Sequence, residues 1–178
     1  MTDPAFRREQ RGVGVRMAGA VLVTVAIVAA ALVLGPAAPL SQRLATAIMV
    51  DLTVVAWLAG GIANVARLRF FSLTDIAGSG RTDASAAVRD AAAVLQNTLE
   101  QVALAVPVHI AAAVMIERSA TLSIALGLMF TIGRTAFWRG YSHGAQARAF
   151  GFAMTFYPTL VTLFVVAAFA VFRMSDLI

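Results

Sequence analysis

Two short stretches hold the residues that could do chemistry. The first is Gln96-Asn97-Thr98-Leu99-Glu100. The second is Gly133-Arg134-Thr135-Ala136-Phe137-Trp138-Arg139-Gly140-Tyr141, continuing to Arg148 and Gly151-Phe152. Both lie in or beside apolar runs long enough to cross a bilayer. An ionisable side chain at the centre of such a helix costs at least about 2.5–3.5 kcal/mol, so each one needs a partner or a purpose. Asn97 and Glu100 are three residues apart and share a helix face, which Ala93 and Arg89 extend. Arg134, Phe137 and Tyr141 also share a face. A carboxamide, a carboxylate, a guanidinium and a phenol can thus converge at a membrane boundary. Such a pocket suits a small zwitterion or anion: Glu100 would take an ammonium, and Arg134 with the loop arginines would take carboxylates. The competing reading is structural, with Glu100 and Arg134 paired to pin a helix bundle.

Other chemistries are excluded by composition. The chain has no cysteine, so it has no disulfide, thiolate metal site or cysteine nucleophile. His109 and His143 are its only histidines, too few for a zinc cluster. Gly78-Ser79-Gly80 is not a phosphate loop, because no Gly-Lys-Ser/Thr follows. The net charge is +5 and every basic residue is arginine. These arginines sit beside apolar segments, which reads as membrane topology and not as nucleic-acid binding.

The elements that must position these residues are transmembrane helices. Of the 178 residues 60% are hydrophobic, and the mean hydropathy is +0.84. An all-α membrane protein is expected, as one compact bundle. Five spans are read: Met17–Leu34, Leu44–Ala66, a long helix over Ala84–Ile116, Ala120–Phe137 and Ala149–Phe172. The first follows a basic segment, as a signal peptide would. Its length and the poor cleavage site at Gly35-Pro36 favour a retained helix. Thr82, Asp83 and Ser85 are N-cap candidates for the third helix. Pro107 is a candidate kink, and Gly60-Gly61 a site of close helix approach. Asp51 is expected to pair with Arg43 or Arg118, and His109 with a backbone carbonyl. Ten arginines and nearby Arg134 fall on one surface, and Arg43, Arg118 and Arg173 on the other. The positive-inside rule then places the N-terminus in the cytoplasm and the C-terminus outside, in what reads as a bacterial inner membrane.

Asn97-Thr98-Leu99-Glu100, followed by Gly133-Arg134-x-x-Phe137-x-x-x-Tyr141-x6-Arg148-x-x-Gly151-Phe152, resembles the MAPEG superfamily, the membrane-associated proteins of eicosanoid and glutathione metabolism. The resemblance covers roughly Leu44 to Phe172. It implies a four-helix transmembrane bundle over residues 44–178, with residues 1–43 adding a cytoplasmic segment and one extra helix. It implies a homotrimer that binds glutathione near the cytoplasmic face. The activity implied is glutathione-dependent transfer to, or peroxide reduction of, a lipophilic small molecule delivered by membrane lipids. Asn97 and Glu100 match the family's glutathione-binding pair. Arg134 and Tyr141 match residues lining the same site, and Arg148 matches the arginine proposed to activate the thiol. Three positions depart from the pattern. Ala93 stands where many members have arginine, with Arg89 one turn back as a substitute. Gln101 stands for a tyrosine, and Phe137 has no hydroxyl. A non-catalytic bundle that binds lipid headgroups or a protein partner is the alternative.

Overall fold

In a computed structural model, which describes residues 3–77 and 84–175, the chain forms five long helices. They are α1 (Pro4–Leu34), α2 (Leu40–Phe70), α3 (Ala86–Met115), α4 (Ser119–Gly140) and α5 (Ala145–Ser175), with a short 3-10 turn at Tyr141–His143. All five are long and apolar enough to cross a membrane. Gly78-Ser79-Gly80, Thr82 and Asp83 lie outside the described residues.

The helices run past the apolar segments at most ends, because a helix with a polar surface continues freely into water. α1 starts at Pro4 and not Met17. Asp3 caps it by accepting the Ala5 N–H at 2.9 Å, and Pro4 tolerates the first turn, where no N–H partner exists. α3 starts at Ala86 under a Ser85 cap. Asp75 supports that start: it accepts the Ser85 N–H at 3.0 Å and the Ser72 hydroxyl at 2.7 Å. The Ser72 hydroxyl, and then Ser85, hold the Asp75 carboxyl below its usual range. The polar segment Arg139–Arg148, which lies between the fourth and fifth spans expected from the sequence, is mostly helical. Only the turn and Gly144, at φ 96°, break the path from α4 to α5. That left-handed backbone suits glycine alone.

α2 packs on α3 and α4, α4 packs on α5, and α1 lies along the outside of α5 and α4. Ala20, Thr24, Val28 and Ala31 form the buried stripe of α1, at helical spacing. Gly61 lies against Leu95 of α3, while Gly60 faces open space, so half of the expected glycine pair is a packing site. Pro107 and Pro158 sit inside continuous helices. The α4–α5 crossing is closest at Gly133 and Gly151. A Cβ on Gly133 would stand 2.9 Å from the Gly151 carbonyl oxygen, and one on Gly151 would fall on the Phe137 backbone nitrogen. This crossing sets the side chains beside those glycines.

Two sequence expectations are corrected in the half of the bundle away from that crossing. Asp51 pairs with neither Arg43 nor Arg118. Its Oδ1 lies 2.6 Å from His109 Nδ1, and both residues are buried. His109 therefore meets a carboxylate and not a carbonyl. Asp51 is on the buried face of α2, so its nearest available partner is on α3 and not at the surface. Arg118 reaches the Val33 carbonyl instead.

Candidate functional site

Arg134 is 1% exposed. Its position follows from the α4–α5 crossing, since Gly133 brings α4 so near α5 that the next side chain has no route to solvent. Its Nη1 donates to Asn97 Oδ1 at 2.9 Å, with Thr98 Oγ1 at 3.5 Å. Its Nη2 donates to Thr155 Oγ1 at 2.8 Å. The guanidinium lies 4.4 Å from the Phe137 ring centroid, a cation–π distance. One side chain thus ties α3, α4 and α5 together. Three neutral oxygens and an aromatic face surround it, and Nε finds no acceptor. The Glu100–Arg134 pair considered from the sequence is absent. Glu100 is exposed on α3 and accepts from Gln96 Nε2 at 3.0 Å.

Beside this pin lies a cleft of about 390 Å³. Asn97 from α3, Tyr141 from the turn and Arg148 from α5 line it, with Phe137 and Phe152. Val13 and Met17 of α1 close another side. The Arg148 guanidinium lies 4.7 Å from the Tyr141 ring centroid, and Tyr141 meets Phe137 edge to face at 5.5 Å. Among the described residues the Arg148 side chain has no acidic partner. A half-buried cation beside a phenol, in a cleft without a carboxylate, is suited to an anion.

Of the residues singled out from the sequence, the structure brings Asn97, Tyr141 and Arg148 into one cleft. Arg134 stands behind it, holding Asn97. Glu100 and Arg89 do not line it. Arg89 is exposed in the first turn of α3 and donates to the Ala84 carbonyl. Ala93 does line it, so the position where many MAPEG members carry arginine is here an opening in the wall. Gln101 is buried, and its Oε1 has no partner. Sequence reasoning missed Thr155, Val13 and Met17. Thr155 had a signal, because it lies one helical turn beyond Gly151. Val13 and Met17 had none, since nothing in the sequence folds α1 onto α5.

No curated protein and no solved structure matched this chain. The family model described as MAPEG family matches residues 21–169, beginning inside α1 and ending within α5. That segment is well over half of the 178 residues and contains Asn97, Glu100, Arg134, Tyr141 and Arg148 in the order and spacing noted above. The chain is an integral membrane protein, and it belongs to the MAPEG family.

Proposed function

We propose that the cleft holds glutathione and that the protein transfers it to lipophilic electrophiles reaching the site from the bilayer. The observation that carries this is Arg148, a half-buried guanidinium without an acidic partner among the described residues, stacked on Tyr141 in a cleft that also contains Asn97. A guanidinium beside a thiol favours the thiolate, which is the nucleophile. The sulfur bonds to an electrophilic carbon, the electron pair of the bond broken there goes to the departing or ring-opened group, and that group takes up the proton that the thiol released. Tyr141 stacks on the guanidinium and limits its freedom, and Asn97 is held by Arg134 for a hydrogen bond to the peptide.

Glu100 would meet the amino group of glutathione from outside the cleft. Its carboxylate is exposed halfway along α3, a costly place for a charge in a lone chain. A homotrimer, as the family resemblance implies, would put a neighbouring copy against that face. Native mass spectrometry in mild detergent should then give trimers, and monomers alone would count against it.

A second reading keeps the bundle without catalysis, with the arginine-rich end meeting lipid headgroups or a protein partner. The absence of Glu100 and Arg89 from the cleft favours it. Calorimetric titration of the purified protein with glutathione separates the two. Saturable binding that weakens on Glu100→Ala supports the enzyme. No heat of binding in the wild type leaves the second reading.

A further inference from the structure

The cleft lies near the starts of α1, α3 and α5, and the same three helices hold a second pocket at their other ends. Met17, in the cleft, begins the apolar run after Arg16, whereas Phe172, in the pocket, ends the run before Arg173. Along α3, Asn97 and Met115 are about 27 Å apart at a rise of ~1.5 Å per residue, close to the ~30 Å hydrocarbon core. The two sites therefore stand at opposite headgroup boundaries. The second pocket holds about 560 Å³, within the roughly 300–1,000 Å³ of ligand cavities. Its floor is core: Ile116 is buried, and Leu32 of α1 and Met115 of α3 pack against the same cluster. Phe169 and Phe172 of α5, both exposed, form a side. Among the described residues the backbones of α1 and α3 do not meet, so side chains alone close the gap between them.

The mouth of this pocket carries both signs of charge. Glu117 and Arg118, in the turn before α4, and Arg173, at the end of α5, line it. Of the three arginines at this end of the bundle, Arg43, Arg118 and Arg173, two thus stand at one mouth. Arg118 is held in place, since its Nη1 donates to the Val33 carbonyl of α1 at 2.6 Å. Among the described residues neither Glu117 nor Arg173 has a partner of opposite charge.

We infer that this pocket binds one phospholipid from the leaflet at this end, a lipid whose headgroup carries a phosphate and a primary ammonium. The phosphate lies between Arg118 and Arg173, the ammonium meets Glu117, and one acyl chain runs along Leu32, Met115 and the two phenylalanines. Guanidinium groups give phosphate paired hydrogen bonds, and Arg118 keeps most of its donors free for them. A carboxylate at the mouth opposes a purely anionic headgroup and suits an ammonium. A quaternary ammonium has no N–H to give it. The layering, apolar at depth and charged at the boundary, follows a lipid standing in its leaflet. Such a lipid fills the gap between α1 and α3. It holds this end of α1 to the bundle, as the 2.9 Å bond from Arg16 to the Gln146 carbonyl holds the other.

The test is native mass spectrometry of the full chain with phosphatidylethanolamine, phosphatidylglycerol and phosphatidylcholine added in equal amounts. Phosphatidylethanolamine should give a single adduct per chain that outlasts the other two on activation. Arg173→Gln breaks no ion pair among the described residues and should weaken that adduct at least about tenfold, the scale of one lost charge-assisted bond. Glu117→Gln should erase the preference over phosphatidylglycerol and keep lipid binding. Arg11→Gln, at the other end, should change nothing. An adduct unchanged in Arg173→Gln, or equal retention of the three lipids by the wild type, would overturn the inference. Soluble phosphoethanolamine, which lacks chains, should not displace the lipid; displacement would make this a headgroup site and overturn the lipid. A second measurement identifies the occupant directly. Benzoylphenylalanine in place of Phe172, activated by light in mixed-lipid nanodiscs, should add the mass of one phosphatidylethanolamine. A chain-to-chain cross-link would give the pocket to a second copy and end the inference. None of these readouts depends on glutathione.

Discussion

Replacing Arg134 separates a structural pin from a ligand-binding arginine. In Arg134→Met the apolar stem volume is largely kept and the guanidinium is lost. The loss removes two good hydrogen bonds, to Asn97 at 2.9 Å and to Thr155 at 2.8 Å. Thr155 has a fallback, because its hydroxyl lies 2.9 Å from the Phe152 carbonyl oxygen. Asn97 Oδ1 has no other partner among the described bonds, but it is only half-buried at the cleft, where water can reach it, so its loss costs about 1 kcal/mol, the low end for an unpaired acceptor. The cation–π contact with Phe137 adds about 0.5–2 kcal/mol. Relief from burying the charge offsets part of this. A net destabilisation of about 1–2 kcal/mol follows. The assay is unfolding in mild detergent, run as a double-mutant cycle with Thr155→Val. Hydrogen bonds between membrane helices couple by about 0.6 kcal/mol on average and up to about 1.7, and a charged donor belongs near the upper value. Glutathione affinity should fall only as far as it falls in Asn97→Ala. A stable Arg134→Met protein that has lost all ligand binding would refute this, and would turn Arg134 toward the ligand.

Three further outcomes are expected. Asp51→Ala or His109→Ala alone should destabilise the bundle by about 3–5 kcal/mol in detergent unfolding, while replacing both with apolar residues should recover most of it; additive losses would show that the 2.6 Å contact is not a coupled pair. Asp75 has a lowered folded-state value, so its contribution is complete above its ordinary value of 3.8 and is lost as pH falls through the lower folded value; hydrogen exchange at the start of α3 should speed up on that acidification in the wild type, and an Asp75→Asn protein with the same acid dependence would remove Asp75 from the account. With five spans and ten arginines at one end, reporter fusions should find the N-terminus in the cytoplasm and the C-terminus outside, and a cytoplasmic C-terminus would break that topology.

The five spans were legible because long apolar runs have few other uses. Their ends were not. Hydropathy marks where hydrocarbon stops, whereas helices stop where caps or special backbone require it, as at Asp3, Ser85 and Gly144. Asn97 and Tyr141 were readable as site candidates from the faces they share with Glu100 and with Arg134, whereas Arg148 was readable only through the family resemblance, because it lies on another element. Arg134 was readable as buried, but its partners were not. Thr155 is 21 residues away along the chain, and only the Gly133–Gly151 crossing brings it near. The Asp51–His109 pair spans 58 residues. Each member had a plausible nearer partner in sequence, and only the rotation of α2 against α3 decides between them. The α1 wall is the extreme case. Its residues are ordinary apolar side chains, and their role depends entirely on where a helix docks.

The most direct test of thiol activation is the ultraviolet absorbance of the thiolate of bound glutathione, measured against pH in the wild type and in Arg148→Ala. One pKa unit corresponds to about 1.4 kcal/mol, or about tenfold in thiolate fraction below that pKa. The account predicts a thiolate signal at neutral pH in the wild type. In Arg148→Ala the titration should move at least about one unit upward, with the glutathione affinity changed much less than in Glu100→Ala. A titration that is the same in both proteins would contradict it, leaving Arg148 as a charge at the membrane surface.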